Sequence, residues 1–251
     1  MKEETVTNFK KPRLMIISGH AADFVWRCGG TIANYTQSGS QAHIVCLTLG
    51  QRGESEALWR KGITSEDEII RVRTDESIEA ANRLGATIEF CGYQDHPFLY
   101  DQAMIERLAR IICKVQPHII LTHHDTDVNN PDHESVYQLT RWAVRAASVK
   151  GAVPDQPALE FAPNLLAFEP DQSSLDGFLP DTYIDISDTA DIKRSAMQAV
   201  ASQADEMIGR YMDRAAFRAS LMRNVPGAKY AEGFVRLHPF EGQLIPLCGL
   251  N

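Results

Sequence analysis

The chain has 251 residues, 44% hydrophobic and 23% charged, enough for one large domain or two small ones with a substantial buried core. Its 25 Lys+Arg against 33 Asp+Glu give a net charge of −8, which argues against a nucleic-acid-binding surface and leaves any anion site to be built locally from a few Arg or Lys. No stretch approaches the ~20 apolar residues of a membrane span, the polar tail at residues 1–11 lacks the apolar run of a secretory signal, and five scattered cysteines with no CxxC pair exclude a thiolate zinc knot and a disulfide framework. A cytoplasmic protein with unbridged cysteines is expected.

Residues 13–18 (Arg-Leu-Met-Ile-Ile-Ser) form a short continuous apolar run, as in a strand covered on both faces. Gly29-Gly30 opens a helical pattern to about Tyr35, which Ser38-Gly39-Ser40 breaks. A second strand is predicted over 42–49, followed by a polar loop over 50–55. Thr64 or Ser65 can cap a long helix reaching about Leu84, with Gly85 as its stop. A third strand follows over 87–91, then a helix over 101–115 with apolar residues at Met104, Ile105, Leu108, Ile111, Ile112 and Val115. A fourth strand over 118–122 and a polar loop over 123–132 lead into a helix from about His133 to Ser148. Beyond Lys150 the pattern loosens; strands are predicted at 164–168 and 182–186, and helices over 189–211 and 213–223. Strand–helix alternation of this kind builds an α/β fold, a mostly parallel sheet with helices on both faces. No linker divides the chain, so residues 1–251 are expected to form one domain.

Two segments gather residues that can carry chemistry. Gly19-His20-Ala21-Ala22-Asp23 directly follows the first strand, and residues 123–133 (His-His-Asp-Thr-Asp-Val-Asn-Asn-Pro-Asp-His) follow the fourth. Both lie at carboxyl ends of strands, where open parallel sheets place their ligands. Imidazole and carboxylate together suit zinc and other divalent first-row metals. His20, Asp23 and His133 can therefore close a facial set of three ligands. Spacing also leaves plainer readings open: His20 as a strand-end cap and His133 as a helix-start residue facing water.

The wider pattern is more specific. Residues 16–33, with His20-Ala-Ala-Asp23 followed by Gly29-Gly30-Thr31, resemble the opening motif of the PIG-L (LmbE-like) deacetylases, where His-Pro-Asp-Asp precedes Gly-Gly-Thr and a helix. The loop Gly50-Gln-Arg-Gly-Glu54, the helix motif Arg73-Thr-Asp-Glu76 ending at Leu84-Gly85, and Pro131-Asp132-His133 are similar to that family's further motifs. So are residues 184–187 with Lys193, Ala196 and Ser202-Gln203, and the closing Glu232-Gly-Phe234. The resemblance implies a Rossmann-like fold and one zinc ion (Zn2+) held by His20, Asp23 and His133. The departures matter too. The family's general base corresponds to Ala22 here, which cannot take a proton, and the histidine usual before Ser202-Gln203 is replaced by Val200. The variant His-Ala-Ala-Asp-Phe-Val-Trp-Arg resembles the branch that hydrates 4-oxalomesaconate, an unsaturated keto polycarboxylate of gallate catabolism, and a hydro-lyase is expected. The alternative is an N-deacetylase or amidohydrolase acting on an N-acetylated sugar or small amide with a substitute base.

Hydration of such an acid needs a polarised oxygen, a positioned water and a group to move protons. Glu54 is the first candidate base, with a solvated loop glutamate as the other reading. Asp132 is read as an orienting partner of His133 or as a base, and His123 and His124 as proton donors or ordinary loop residues. Arginine's planar fork matches a carboxylate, so Arg27, Arg52 and Arg73 are candidate substrate-binding residues, Arg73 with a structural alternative in pairing with Glu76; Arg60 reads as a surface charge. The expected partners are a small-molecule polycarboxylate substrate and further copies of the chain in a homo-oligomer, with neither nucleic acid nor membrane.

Overall fold

A computed structural model gives the structure of residues 11–203 and 206–238. The apolar runs become strands β1 (Arg13–Ser18), β2 (Gln41–Thr48), β3 (Thr87–Tyr93), β4 (Ile119–Thr122), β5 (Asn164–Phe168), β6 (Thr182–Asp185) and β7 (Ala231–Arg236). They form one sheet in the order β3-β2-β1-β4-β5-β7-β6. Strands β1 to β5 pair parallel, and β7 runs antiparallel to both β5 and β6. Along β1 successive side chains point to opposite faces. Leu14 and Ile16 enter one apolar core and Met15 and Ile17 the other, which is why the run is continuous rather than alternating.

The helices that cover these faces are α1 (Asp23–Gln37), α2 (Glu56–Arg60), α3 (Glu66–Arg83), α4 (Gln102–Val115), α5 (Pro131–Ala147), α6 (Ala190–Gln198) and α7 (Glu206–Ser220). α4 is capped by the Asp101 carboxylate, which accepts the Met104 N–H at 2.9 Å. α3 stops at Gly85, whose φ of +71° costs a residue without a Cβ little. Gly30 has a different reason. A Cβ there would stand 2.5 Å from the Ile186 side chain, so only glycine lets α1 sit this close to the strand end after β6.

The structure corrects several expected boundaries. α1 begins at Asp23, with Gly29-Gly30 inside it and non-helical backbone at Cys28. The segment expected as one helix over 189–211 breaks after Gln198, and the second helix starts at Glu206 rather than after Asp213. The break has a cause: Glu76 accepts both the Ser202 N–H and its hydroxyl, and Gln203 accepts the Trp26 indole N–H at 2.6 Å. The short α2 carries too few residues to show a period, and in β7 Glu232 and Gly233 interrupt the apolar run that marks the other strands; neither was anticipated. Cys28, Cys46, Cys91 and Cys113 are buried and unbridged; Cys248 and most of the polar tail lie outside the described residues. Among the described residues no helix is long and apolar enough to cross a membrane.

β2 and β3 extend the sheet to one side of β1, while β4 and β5 extend it to the other. The carboxyl ends of β1 and β4 therefore flank a topological switch point, the place where open α/β sheets bind ligands.

Candidate active site at the β1–β4 switch point

His20 and Asp23 follow β1, and His133 stands in the first turn of α5. All three are buried, and their ligand atoms converge. His20 Nδ1 lies 3.2 Å from His133 Nε2 and 3.3 Å from an Asp23 oxygen, and His133 Nε2 lies 3.5 Å from the other Asp23 oxygen. Ligands placed tetrahedrally around zinc at ~2.0–2.2 Å stand about 3.3 Å apart. The separation of the two imidazole nitrogens, and the distance from each to its nearer Asp23 oxygen, lie close to that edge length, and the donor set of two imidazoles and a carboxylate suits zinc.

The groups behind these three fix their orientation. Asp127 accepts the His133 Nδ1 proton at 2.7 Å, which leaves Nε2 to face the cluster. Asp132 lies 3.4 Å from His20 Nε2, so His20 Nδ1 faces the cluster in turn. Asp132 could form a second metal set with His20 and Asp95. Its two oxygens, however, already accept the backbone N–H groups of His96 at 2.8 Å and Phe98 at 2.7 Å. Asp95 likewise accepts the N–H groups of Arg52 and Gly53. Both carboxylates therefore hold loops together behind the cluster.

Charge favours a cation at this point. Burial penalises a charged His20, yet hydrogen bonds to Asp132 and Asp23 outweigh it and raise the imidazole to about 10. Burial also opposes the Asp23 charge, but His133 outweighs it and holds the carboxylate well below its usual range. Asp127 and Asp132 are lowered in the same way, against burial, by their bonded histidines. Where carboxylates hold a proton on an imidazole this strongly, a divalent cation satisfies the same field.

In front of the cluster opens a cleft with about 460 Å³ of empty space. His20, Asp23 and His133 form its floor, and Ala22 presents only a methyl group. Glu54 and Asn130 form one wall, with the Asn130 amide donating to a Glu54 oxygen at 2.6 Å. Trp26, Gln203, Met207 and Tyr211 also line the cleft, and the Tyr211 hydroxyl donates to Asp171 at 2.5 Å. Arg27 also lines the cleft; it is buried and its Nη1 donates to the Glu169 carbonyl at 2.7 Å. Its other nitrogens reach Asp23 at 3.4 Å, Asp171 at 3.7 Å and Asp127 at 3.8 Å.

Glu54 and Arg27 thus line the cleft, and five other expected site residues do not. Asp132, expected as the partner that orients His133 or as a base, stands behind His20 instead, and Asp127 takes the place beside His133. Arg73 is completely buried, bonded to Glu76 at 3.3 Å and to Ser202 at 2.8 Å, and does not line the cleft. Its structural alternative is the one realised: it ties α3 to the turn between α6 and α7. Removing one partner of such a buried pair costs about 3–5 kcal/mol. Arg73→Ala is therefore expected to lower Tm by roughly 6–15 °C in thermal unfolding. An unchanged Tm would contradict this role. Arg52 turns its side chain outward to Glu66 at 3.0 Å, away from the cleft. His123 is buried behind the floor, where its Nε2 accepts the Gly19 N–H at 3.0 Å and its ring stacks on His133 at 4.0 Å. Burial and the neighbouring His133 push its pKa down to about 3, so the neutral imidazole packs there and has no route to substrate. His124 packs edge-on against Phe178 and also stands outside the cleft lining. Asp127, Asn130, Asp171 and Tyr211 were missed; only the density of acids and amides in residues 123–133 hinted at the first two.

The GlcNAc-PI de-N-acetylase (PIG-L) family model matches residues 15–144, just over half of the chain. This protein belongs to the PIG-L family. Within it, the chain is 37% identical over 239 residues to a protein described as 4-oxalmesaconate hydratase from Pseudomonas putida, with 92% of each covered. The crystal structure of a 4-carboxy-2-hydroxymuconate hydratase from the same species superposes with a TM-score of 0.88 at 34% identity, covering 93% of this chain and 99% of that one. A PIG-L deacetylase of 1D-myo-inositol 2-acetamido-2-deoxy-alpha-D-glucopyranoside from a Mycobacterium species is 28% identical over 228 residues, with 76% of this chain covered. The family, the mostly parallel α/β fold and the kinship to a hydratase all agree with the expectation from the motifs.

Proposed function

We propose that this PIG-L protein is a zinc-dependent hydratase that adds water to the double bond of an unsaturated keto polycarboxylate, 4-oxalomesaconate in gallate catabolism. One observation carries the reading: the three candidate metal ligands converge at a cleft that Glu54 also lines and in which position 22 offers a methyl group instead of a carboxylate. The similarity to two hydratases of keto or hydroxy polycarboxylates supports the same reaction.

His20, Asp23 and His133 would hold the zinc, whose chemistry when bound is to polarise an oxygen ligand and neutralise anionic charge. Arg27 binds a substrate carboxylate and balances the acids around the floor; its guanidinium is held in place by the Glu169 carbonyl before substrate arrives. The apolar bodies of Trp26, Met207 and Tyr211 in the cleft lining restrict water there. Glu54 takes one proton from the attacking water as its oxygen bonds to the alkene carbon β to the polarised carbonyl. Glu54 then returns that proton to the α-carbon and regains its carboxylate, so the H and OH of one water add across the double bond with no other reactant. The cleft draws on residues inside the family match and on Asp171, Gln203 and Tyr211 beyond it, which supports one functional unit over residues 1–251. A cytoplasmic location and self-association into a homo-oligomer complete the proposal.

The test sets two substrate classes against each other with zinc present. Loss of the conjugated ultraviolet absorbance of 4-oxalomesaconate, with negligible acetate release from N-acetylglucosamine derivatives, is the expected result. Acetate release at the rate of a deacetylase of the family would overturn it.

A further inference from the structure

Asn130 is the N-cap of α5, the helix that carries the metal ligand His133. Its side chain does two things at once. Oδ1 accepts the Asp132 N–H at 3.2 Å, and Nδ2 donates to Glu54 Oε1 at 2.6 Å. The amide orientation follows from these partners, because the flipped amide would set an oxygen against the carboxylate and an NH2 against a backbone N–H. The bond joins positions 76 residues apart, one at the end of the loop after β2 and one at the start of α5. Glu54 Oε2 has no protein hydrogen bond among the described residues, and the carboxylate lines the cleft.

The loop backbone beneath Glu54 is held independently. Asp95 accepts the N–H groups of Arg52 at 3.0 Å and Gly53 at 2.6 Å. Gly50 accepts the Glu54 N–H at 3.2 Å and the Ser55 hydroxyl at 2.7 Å. Fixed backbone with a half-exposed side chain leaves the Glu54 rotamer as the remaining freedom, and Asn130 restrains it.

We propose that Asn130 is a positioning residue for the hydration: its amide pins Oε1 of Glu54 and so aims Oε2 at the water, from the same helix start that places His133. The proposal rests on Glu54 being the base. It gives the distance between the metal ligand and the base a physical origin, since one capping residue fixes both. Misplacing a reacting group by about 1 Å can cost ~10²-fold in rate.

Asn130→Asp separates the two jobs. Aspartate caps a helix as well as asparagine does, so α5 and His133 should stay in place. It cannot donate to Glu54, and two carboxylates at hydrogen-bond distance repel. The expected result is zinc content and Tm within error of wild type, KM within about twofold, and kcat down by roughly ten- to a hundredfold. In an Glu54→Gln background the same change should cost kcat less than about twofold, because the base it serves is gone. Asn130→Ser, which keeps a capping oxygen but lacks the amide arm that reaches Glu54, should show the same loss of kcat and covers the case of a poorly folding aspartate variant. Wild-type kcat in Asn130→Asp, alongside a Glu54→Gln variant that is strongly impaired, overturns the role of Asn130 and leaves Glu54 as base. Unimpaired Glu54→Gln overturns both. Loss of zinc in Asn130→Asp would show that Asn130 serves the helix rather than Glu54, and also overturns the proposal.

Discussion

His133→Ala is expected to strip the metal. In the proposed site the ring is one of three ligands, its Nε2 standing 3.2 Å from His20 Nδ1 and 3.5 Å from an Asp23 oxygen. Two ligands remain after the change, and the Asp127 carboxylate loses the imidazole that it orients at 2.7 Å. Loss of an outer partner such as Asp127 alone costs about 10–100-fold in metal affinity or activity, so loss of the ligand itself should cost more. Elemental analysis of purified protein should show about one zinc per chain in the wild type and under a tenth of that in the variant. Hydratase kcat/KM should fall by at least ~10³-fold. Undiminished zinc in His133→Ala would remove this trio from the metal site. Asp127→Asn is the graded companion: it keeps the ligand but weakens its orientation, and zinc titration should show a ~10–100-fold weaker Kd.

Glu54→Gln is expected to leave binding intact and slow the chemistry. Glutamine has the shape of glutamate, and its carbonyl oxygen still accepts the Asn130 amide that Oε1 accepts now. What it lacks is a basic oxygen for the water proton. General-base assistance contributes typically ~10²–10⁴-fold, so kcat should fall by that factor while KM and zinc content stay near normal. Steady-state kinetics on 4-oxalomesaconate decide this. A variant that retains most of its rate would shift the proton transfer to another cleft group, with the Asp171–Tyr211 pair the next within reach.

The repeating signals were legible from the residues because they are local. The continuous apolar run of Arg13–Ser18, the capped apolar face of α4 and the Gly85 stop each depend on neighbours within a turn or a pleat. The two histidine-bearing segments could be placed at strand ends by the same reasoning, and an open parallel sheet brings the ends of β1 and β4 together whatever the loops do. That is why His20, Asp23 and His133 could be expected to converge, as their side chains do. Ala22 was equally informative, since a missing carboxylate needs no coordinates to be seen.

Which arginine meets the cleft was a different kind of question. Arg27, Arg52 and Arg73 are chemically alike, yet the first lines the cleft, the second reaches Glu66 at the surface and the third is locked in the core against Glu76 and Ser202. The two histidines at 123 and 124 part in the same way, one stacked behind the floor and one against Phe178. The partners responsible are far away in the chain: Ser202 is 129 residues from Arg73, Gln203 is 177 from Trp26, and Asn130 is 76 from Glu54. Sequence by itself determined the alternating elements, the metal-binding residue types and their place at the sheet edge, because hydrophobic period and strand order act through near neighbours. Only the tertiary structure decided which charged side chains face the cleft and which brace it, because burial and hydrogen-bond partners for a long polar side chain come from segments that meet only when the sheet and its helices have packed.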